Sequence, residues 1–222
     1  MHSRDDIGCS RGYETWLLQE AKKRNPRIRT WGLSWGVPKW VGEGNYFSYD
    51  NIAYQTRWLQ CVNDTIGIIV DNIGIWNERS WGPPWYTIEL RRSLDAHGFS
   101  ATGIVLPDGR IDEDLVSLLR NNETFRDSVY AVGAHGCGQV ILGGVPKPYW
   151  CAEAEVSNSW QAAQVSTKQT TYLTSTCLHR APPSPLPPFH AHTHTLSHTH
   201  SFSHTNARDS DQQCPTIFFI PT

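Results

Sequence analysis

The sequence predicts an α/β fold on a parallel sheet, either doubly wound or closed as a β/α barrel. Three observations predict it. Apolar runs short enough for strands alternate with amphipathic segments, an order that argues for right-handed parallel units. The strand candidates number about five, all before residue 161. At residue 161 the composition itself changes, from mixed apolar text to Pro, Thr, Ser and His. That break separates a structured part, residues 1–160, from a low-complexity tail, residues 161–222, which is expected to be disordered because it buries too little apolar surface to offset its ordering entropy.

Within residues 1–160 each element has a local reason. Tyr13, Trp16, Leu17 and Ala21 fall at i, i+3, i+4 and i+8, one stripe of a helix that Asn25-Pro26 ends. On that pattern Trp16 packs into a core, as does Trp58 in the next helix, marked by Tyr54, Trp58, Cys61 and Val62. Ile28 to Leu33 reads as a short strand, and Ile68 to Trp76 contains a buried-strand pattern centred on Ile73-Gly74-Ile75-Trp76. Pro83 and Pro84 suit the first turn of a helix carrying Tyr86, Leu90 and Leu94, which Gly98 closes. Residues 103–106 form the next strand. Ile111, Leu115, Leu118 and Leu119 give another amphipathic helix, and Val129 to Ala134 and Tyr149 to Ala152 supply two further strands.

Composition excludes several classes. The 222 residues, 25.1 kDa, hold one ordinary domain. A formal charge of -2, from 19 basic and 21 acidic residues, gives no field for a nucleic-acid backbone. No stretch approaches the roughly 18 apolar residues of a membrane helix, and residues 1–30 lack the apolar centre of a signal peptide. No transmembrane segment and no leader are expected. The six cysteines are scattered without zinc spacing and leave the redox compartment open. His190, His192, His194, His198, His200 and His204 could hold a divalent metal if a geometry were imposed; nothing in the tail imposes one, and no metal site is expected.

Chemistry in barrels and parallel sheets sits where strands end. The run ending at Trp76 delivers Asn77-Glu78 to that edge, and Pro148-Tyr149-Trp150 delivers Glu153 to the same edge three strands later. Two facing carboxyl groups about 5–5.5 Å apart can hydrolyse a glycoside with retention, one as acid and one as nucleophile. An Asn before the acid can hydrogen-bond the sugar 2-hydroxyl. Trp31, Trp35, Trp40, Trp81 and Trp85 lie nearby; a flat indole suits a sugar face, though core packing is expected for about half of them.

Arg11-Gly12-Tyr13-Glu14, Glu20-Ala21-Lys22-Lys23-Arg24-Asn25-Pro26, Gly32-Leu33-Ser34-Trp35 and Ile73-Gly74-Ile75-Trp76-Asn77-Glu78-Arg79-Ser80 together resemble glycoside hydrolase family 59, over roughly residues 11–160. The resemblance implies a partial (β/α)8 TIM barrel, approximately strands three to seven, of a retaining β-galactosidase that acts on galactosylceramide and needs no metal or cofactor. It makes Glu78 the acid/base and, through Trp150-Cys151-Ala152-Glu153, makes Glu153 the nucleophile. Asn77, Trp35 and His135 match substrate-contacting positions, while Gly136 stands where the family has Tyr. It also implies a lysosomal location, a glycosphingolipid substrate and a saposin-type activator. Past 161 the resemblance is expected to fail. A related barrel β-glycosidase such as a glucosylceramidase, and a catalytically inactive fragment or weak carbohydrate binder, are the competing readings. Asn63-Asp64-Thr65 and Asn122-Glu123-Thr124 are acceptor triplets for N-glycosylation.

Overall fold

A computed structural model of the chain describes residues 3, 5, 8–9, 12–135, 144–153 and 216–220. The order is α1 (Glu14–Arg24), β1 (Thr30–Ser34), α2 (Tyr49–Ile66), β2 (Asn72–Gly74), α3 (Pro84–Ala96), β3 (Gly103–Gly109), α4 (Glu113–Asn121), α5 (Glu123–Ser128), β4 (Ala131–His135), β5 (Tyr149–Glu153) and β6 (Thr216–Ile220). One six-stranded sheet runs β5-β4-β3-β2-β1-β6, with every pairing parallel. The α/β expectation holds, with each strand from β1 to β3 followed by helix.

Helix boundaries follow capping chemistry. The Ser48 hydroxyl accepts from the Asn51 amide at 3.2 Å and opens α2, and Gly67, at φ 67°, closes it in the left-handed conformation that glycine adopts at low cost. Asp112 caps α4 through the Leu115 amide at 2.8 Å. The Asn122 side chain accepts from the Phe125 amide at 2.9 Å and starts α5, a one-turn-plus helix too short for a periodicity to reveal.

Both faces of the central strands β1 to β4 are buried, as parallel sheets require. On the outer face Ile73, Ile104, Leu106 and Val132 pack with Leu59 and Val62 of α2, Tyr86, Leu90 and Leu94 of α3, Leu115 and Leu119 of α4 and Phe125 of α5. On the inner face Trp31, Leu33, Val105 and Ala131 form a second cluster with Trp150 against it. Gly74 makes this face possible: a Cβ there would stand 2.5 Å from Leu33 Cδ1 and 2.7 Å from the Trp31 indole nitrogen. Trp31, one of the tryptophans expected near the cleft, is thus a fully buried strand residue, its ring 6.3 Å from that of Trp150.

At the opposite, N-terminal edge of the sheet one carboxylate ties three elements. Asp71 accepts from the Thr30 amide at 2.9 Å, the Thr30 hydroxyl at 2.8 Å and the Lys22 ammonium at 3.1 Å. Burial alone would raise its pKa, but these donors together hold the carboxyl below the usual range. Farther along, the Cys9–Cys61 disulfide staples the segment before α1 to α2.

Three expectations need correction. The apolar stripe of α1 faces outward: Tyr13, Trp16 and Leu17 are exposed, Trp16 at 60%, and Leu18 is the buried residue. The first half of α1 is apolar on several sides, so periodicity alone did not choose the face; Leu18, Ala21 and Lys22 at i, i+3 and i+4 do, with Lys22 reaching Asp71. The strand expected within Ile68–Trp76, centred on Ile73–Trp76, is present but shorter and starts one residue earlier, with its ladder at Asn72–Gly74. Thr216–Ile220, assigned with the tail, is strand β6, whose apolar text TIFFI pairs along all five residues of β1. Residues 161–215, the expected disordered stretch, lie outside the described residues.

Candidate active site

The C-terminal ends of β1 to β5 share one edge of the sheet, and the residues singled out by the sequence fall along it. Ser34 ends β1 and Trp35 follows, 58% exposed. Beyond β2 the chain keeps a single bridge to β3, Asn77 opposite Asp108. The Asn77 amide donates to the Ser34 carbonyl at 2.8 Å, so Asn77 is held between the ends of β1 and β3. His135 ends β4 and Glu153 ends β5, and the two are register partners. The side chains of His135 and Glu153, like Gly136, lie outside the described residues.

Glu78 carries the clearest conformational signature. Its φ is 52°, one of two positive values at non-glycine residues among those described. A side chain there costs on the order of 1 kcal/mol or more relative to the right-handed regions. Asp108 offsets this cost. The Glu78 amide donates to the Asp108 carbonyl at 2.9 Å and lies 3.3 Å from the Asp108 carboxylate. Asp108 is itself buried at 1% exposure, whereas Glu78 is exposed. Asp108, a buried acid at a strand end that receives the Glu78 amide, is a residue of this site that the sequence reading did not single out. Its context Pro107-Asp108-Gly109 looks like an ordinary turn, and no periodicity distinguishes it.

The edge is walled by aromatics. Trp76 stacks on Tyr46 at 4.0 Å and 4° between planes, and its indole N–H donates to the Trp35 carbonyl at 3.2 Å. Trp81 is half-buried, its N–H pointing to the Asp112 carboxylate at 3.3 Å, and Trp40 packs edge-on to Tyr54. Of the five tryptophans expected near the cleft, Trp35 and Trp85 are the exposed ones and Trp31, Trp40 and Trp81 serve packing. Asn77 is half-buried, and its Oδ1 is a buried acceptor with no hydrogen-bond partner among the described residues.

A cavity of about 660 Å³ opens at the other end of the sheet, where Thr102, Gly103, Tyr130 and Lys147 are among its lining. Size alone would favour it as a ligand site. The strained glutamate and the strand ends favour the C-terminal edge, since the N-terminal face of such sheets carries stability. Among the described residues no group of three His, Cys, Asp or Glu side chains is arranged to hold a metal; the tail histidines lie outside them. No helix among the described residues is long and apolar enough to cross a membrane. Asn63 sits in the last turns of α2.

The sequence pattern of the family described as Glycosyl hydrolase family 59 matches residues 1–180. The chain belongs to this family. The family 59 match continues past the composition break near 161, where the resemblance was expected to fail. Galactocerebrosidase of Danio rerio is 39% identical over 139 residues, 61% of this chain and 21% of the relative. The Mus musculus galactocerebrosidase is 35% identical over 171 residues, 75% of this chain and 24% of the relative, and that of Homo sapiens 37% identical over 139 residues, 61% and 20%. The family 59 chain therefore spans about a fifth to a quarter of the length of these relatives. Among solved structures, a glycoside hydrolase family 30 subfamily 8 xylanase from Clostridium acetobutylicum superposes with a TM-score of 0.49 at 15% identity, over 76% of this chain and 51% of that one.

Proposed function

We propose that this family 59 chain carries the catalytic edge of a retaining β-galactosidase that cleaves galactosylceramide into galactose and ceramide. The observation that carries the reading is the placement of Asn77-Glu78 and Glu153 at one edge of one parallel sheet, three strands apart. In a closed eight-stranded barrel, strands about 4.8 Å apart put these two backbones about 14 Å from each other across the mouth. Each glutamate side chain reaches about 4 Å inward, which leaves a gap near the 5–5.5 Å of a retaining pair.

Glu78 then protonates the leaving oxygen, and Glu153 attacks the anomeric carbon. The bond to ceramide breaks as the glycosyl–enzyme ester forms. Water, deprotonated by Glu78, releases galactose and restores both groups. The Asn77 side-chain amide donates to the sugar 2-hydroxyl, a bond that strengthens as charge develops at the anomeric carbon. Trp35 offers an apolar face to the galactose ring, and His135 a polar contact at the end of β4. Catalysis on this scheme uses no metal or cofactor.

The names of the relatives support a glycosphingolipid substrate, and the family resemblance implies a lysosomal location and a saposin-type activator that presents the lipid. The acceptor triplets at Asn63 and Asn122 fit the same secretory route. Fluorogenic β-galactoside and β-glucoside substrates test the reading. Turnover of the galactoside alone is expected, with Glu78→Gln and Glu153→Gln each lowering it by about 10³-fold or more. Equal turnover of both sugars points to a glucosylceramidase-like enzyme instead. A folded chain that binds galactose but cleaves neither substrate is a carbohydrate binder.

A further inference from the structure

We propose that Tyr46 is a positioning residue for Glu78, a role that rests on the reading of Glu78 as the acid/base. Tyr46 lies in the connection from β1 to α2, 3% exposed. Its hydroxyl donates to the carbonyl of Ile75, one residue beyond the last ladder residue of β2. Its ring stacks on Trp76, the next residue. Ile75 and Trp76 lead directly into Asn77-Glu78. One buried side chain therefore grips both residues over which the chain leaves the sheet and enters the left-handed turn.

Tyr46 is in turn fixed by α2. Asn51 and Gln55, at i and i+4 on one face of that helix, are both fully buried. The Gln55 amide donates to the Tyr46 hydroxyl at 3.1 Å, and the Asn51 amide donates to the Tyr46 carbonyl and to the Tyr86 hydroxyl, each at 2.9 Å. Phe47 closes the aromatic group, edge-on to Trp76 at 5.5 Å. A helix is thus coupled to the glutamate through defined contacts, from Asn51 and Gln55 to Tyr46, then Ile75 and Trp76, then Glu78 and Asp108. The Tyr46 hydroxyl and the Ile75 carbonyl hold one geometry, because moving either leaves a buried donor or carbonyl unmet; Asn51 Oδ1 and Gln55 Oε1 are themselves buried without a partner among the described residues. Burial pushes the Tyr46 phenol well above its ordinary pKa, although hydrogen bonds with Ser34, Asn51 and Gln55 partly oppose it. The group therefore stays protonated, and a donor, across the physiological range.

Amide hydrogen exchange of the whole chain tests the role without relying on turnover. Tyr46→Phe keeps the ring and its stacking but removes the donor. It is expected to speed exchange of the Asn77 and Glu78 amides at least tenfold while the Ile104 amide, at the centre of the sheet, is unchanged. Should Tyr46→Phe fail to fold, Gln55→Met, which leaves Tyr46 intact, is expected to give a smaller rise at the same two amides. Unchanged exchange at 77 and 78, or a rise in step with Ile104, overturns the proposal. In turnover, Tyr46→Phe is expected to lower kcat while leaving KM within about twofold and to shift the acid/base limb of the pH profile. Full activity in Glu78→Gln would sink the hydrolase reading, whereas the exchange result bears on Tyr46 alone.

Discussion

Glu78 shows how much one backbone angle says. At an ordinary extended position Ala is more stable than Gly by roughly 0.5–1 kcal/mol, because glycine loses more backbone freedom on folding. At φ 52° the order is expected to invert. Glu78→Gly removes the Cβ that the left-handed region penalises, while Glu78→Ala retains it. We expect the Gly variant to be about 0.5–1 kcal/mol more stable than the Ala variant by urea unfolding, with both inactive. A more stable Ala variant would mean that the turn is not strained. The Asn-Glu pair was legible in the sequence because an apolar run delivers it to a strand end. The strain was not legible, since it depends on Asp108, thirty residues away, receiving the Glu78 amide. Trp16 was misread for the converse reason: its spacing fits a stripe, but the partner that decides which side of α1 is buried is Asp71, remote in sequence.

At the scale of elements, Asp71 does at the N-terminal edge what Asp108 does at the other: it uses a carboxylate to fix strands whose ladders are short. β2 has three ladder residues, so the junction of α1, β1 and β2 relies on the Thr30 and Lys22 donors. The folded pKa lies below the unfolded value near 4, so protons favour the unfolded chain. The contribution is complete above about pH 5 and is lost as pH falls through the folded pKa. Asp71→Ala is expected to cost about 1–3 kcal/mol at pH 7, a half-buried acceptor of three hydrogen bonds being removed. That difference should shrink toward pH 3 in parallel urea titrations, and kcat at pH 7 should not change, because the residue stands at the edge opposite Asn77 and Glu78. A constant difference at all pH values would show that the ionised carboxylate contributes nothing.

For the whole molecule, the alternation of strand and helix fixed the class, since parallel pairing follows from local order along the chain. What local order does not contain is the partner of an edge. The pairing of β6 with β1 joins residues 216–220 to residues 30–34, and a five-residue apolar run inside low-complexity text gives no sign of where it pairs. The disulfide is non-local in the same way: six scattered cysteines did not reveal that Cys9 meets Cys61. Its closure spans 52 positions, for which the loss of chain entropy in the unfolded state is worth up to about 4 kcal/mol. The bond joins the segment before α1 to the helix that carries Asn51 and Gln55. We expect reduction, or Cys9→Ser, to lower the unfolding free energy by about 2–4 kcal/mol, with reductant having no further effect on the Cys9→Ser variant. If reductant destabilises that variant as much as the parent chain, the stabilising cross-link lies elsewhere, and the hold of α2 on Tyr46 owes nothing to the Cys9–Cys61 bond.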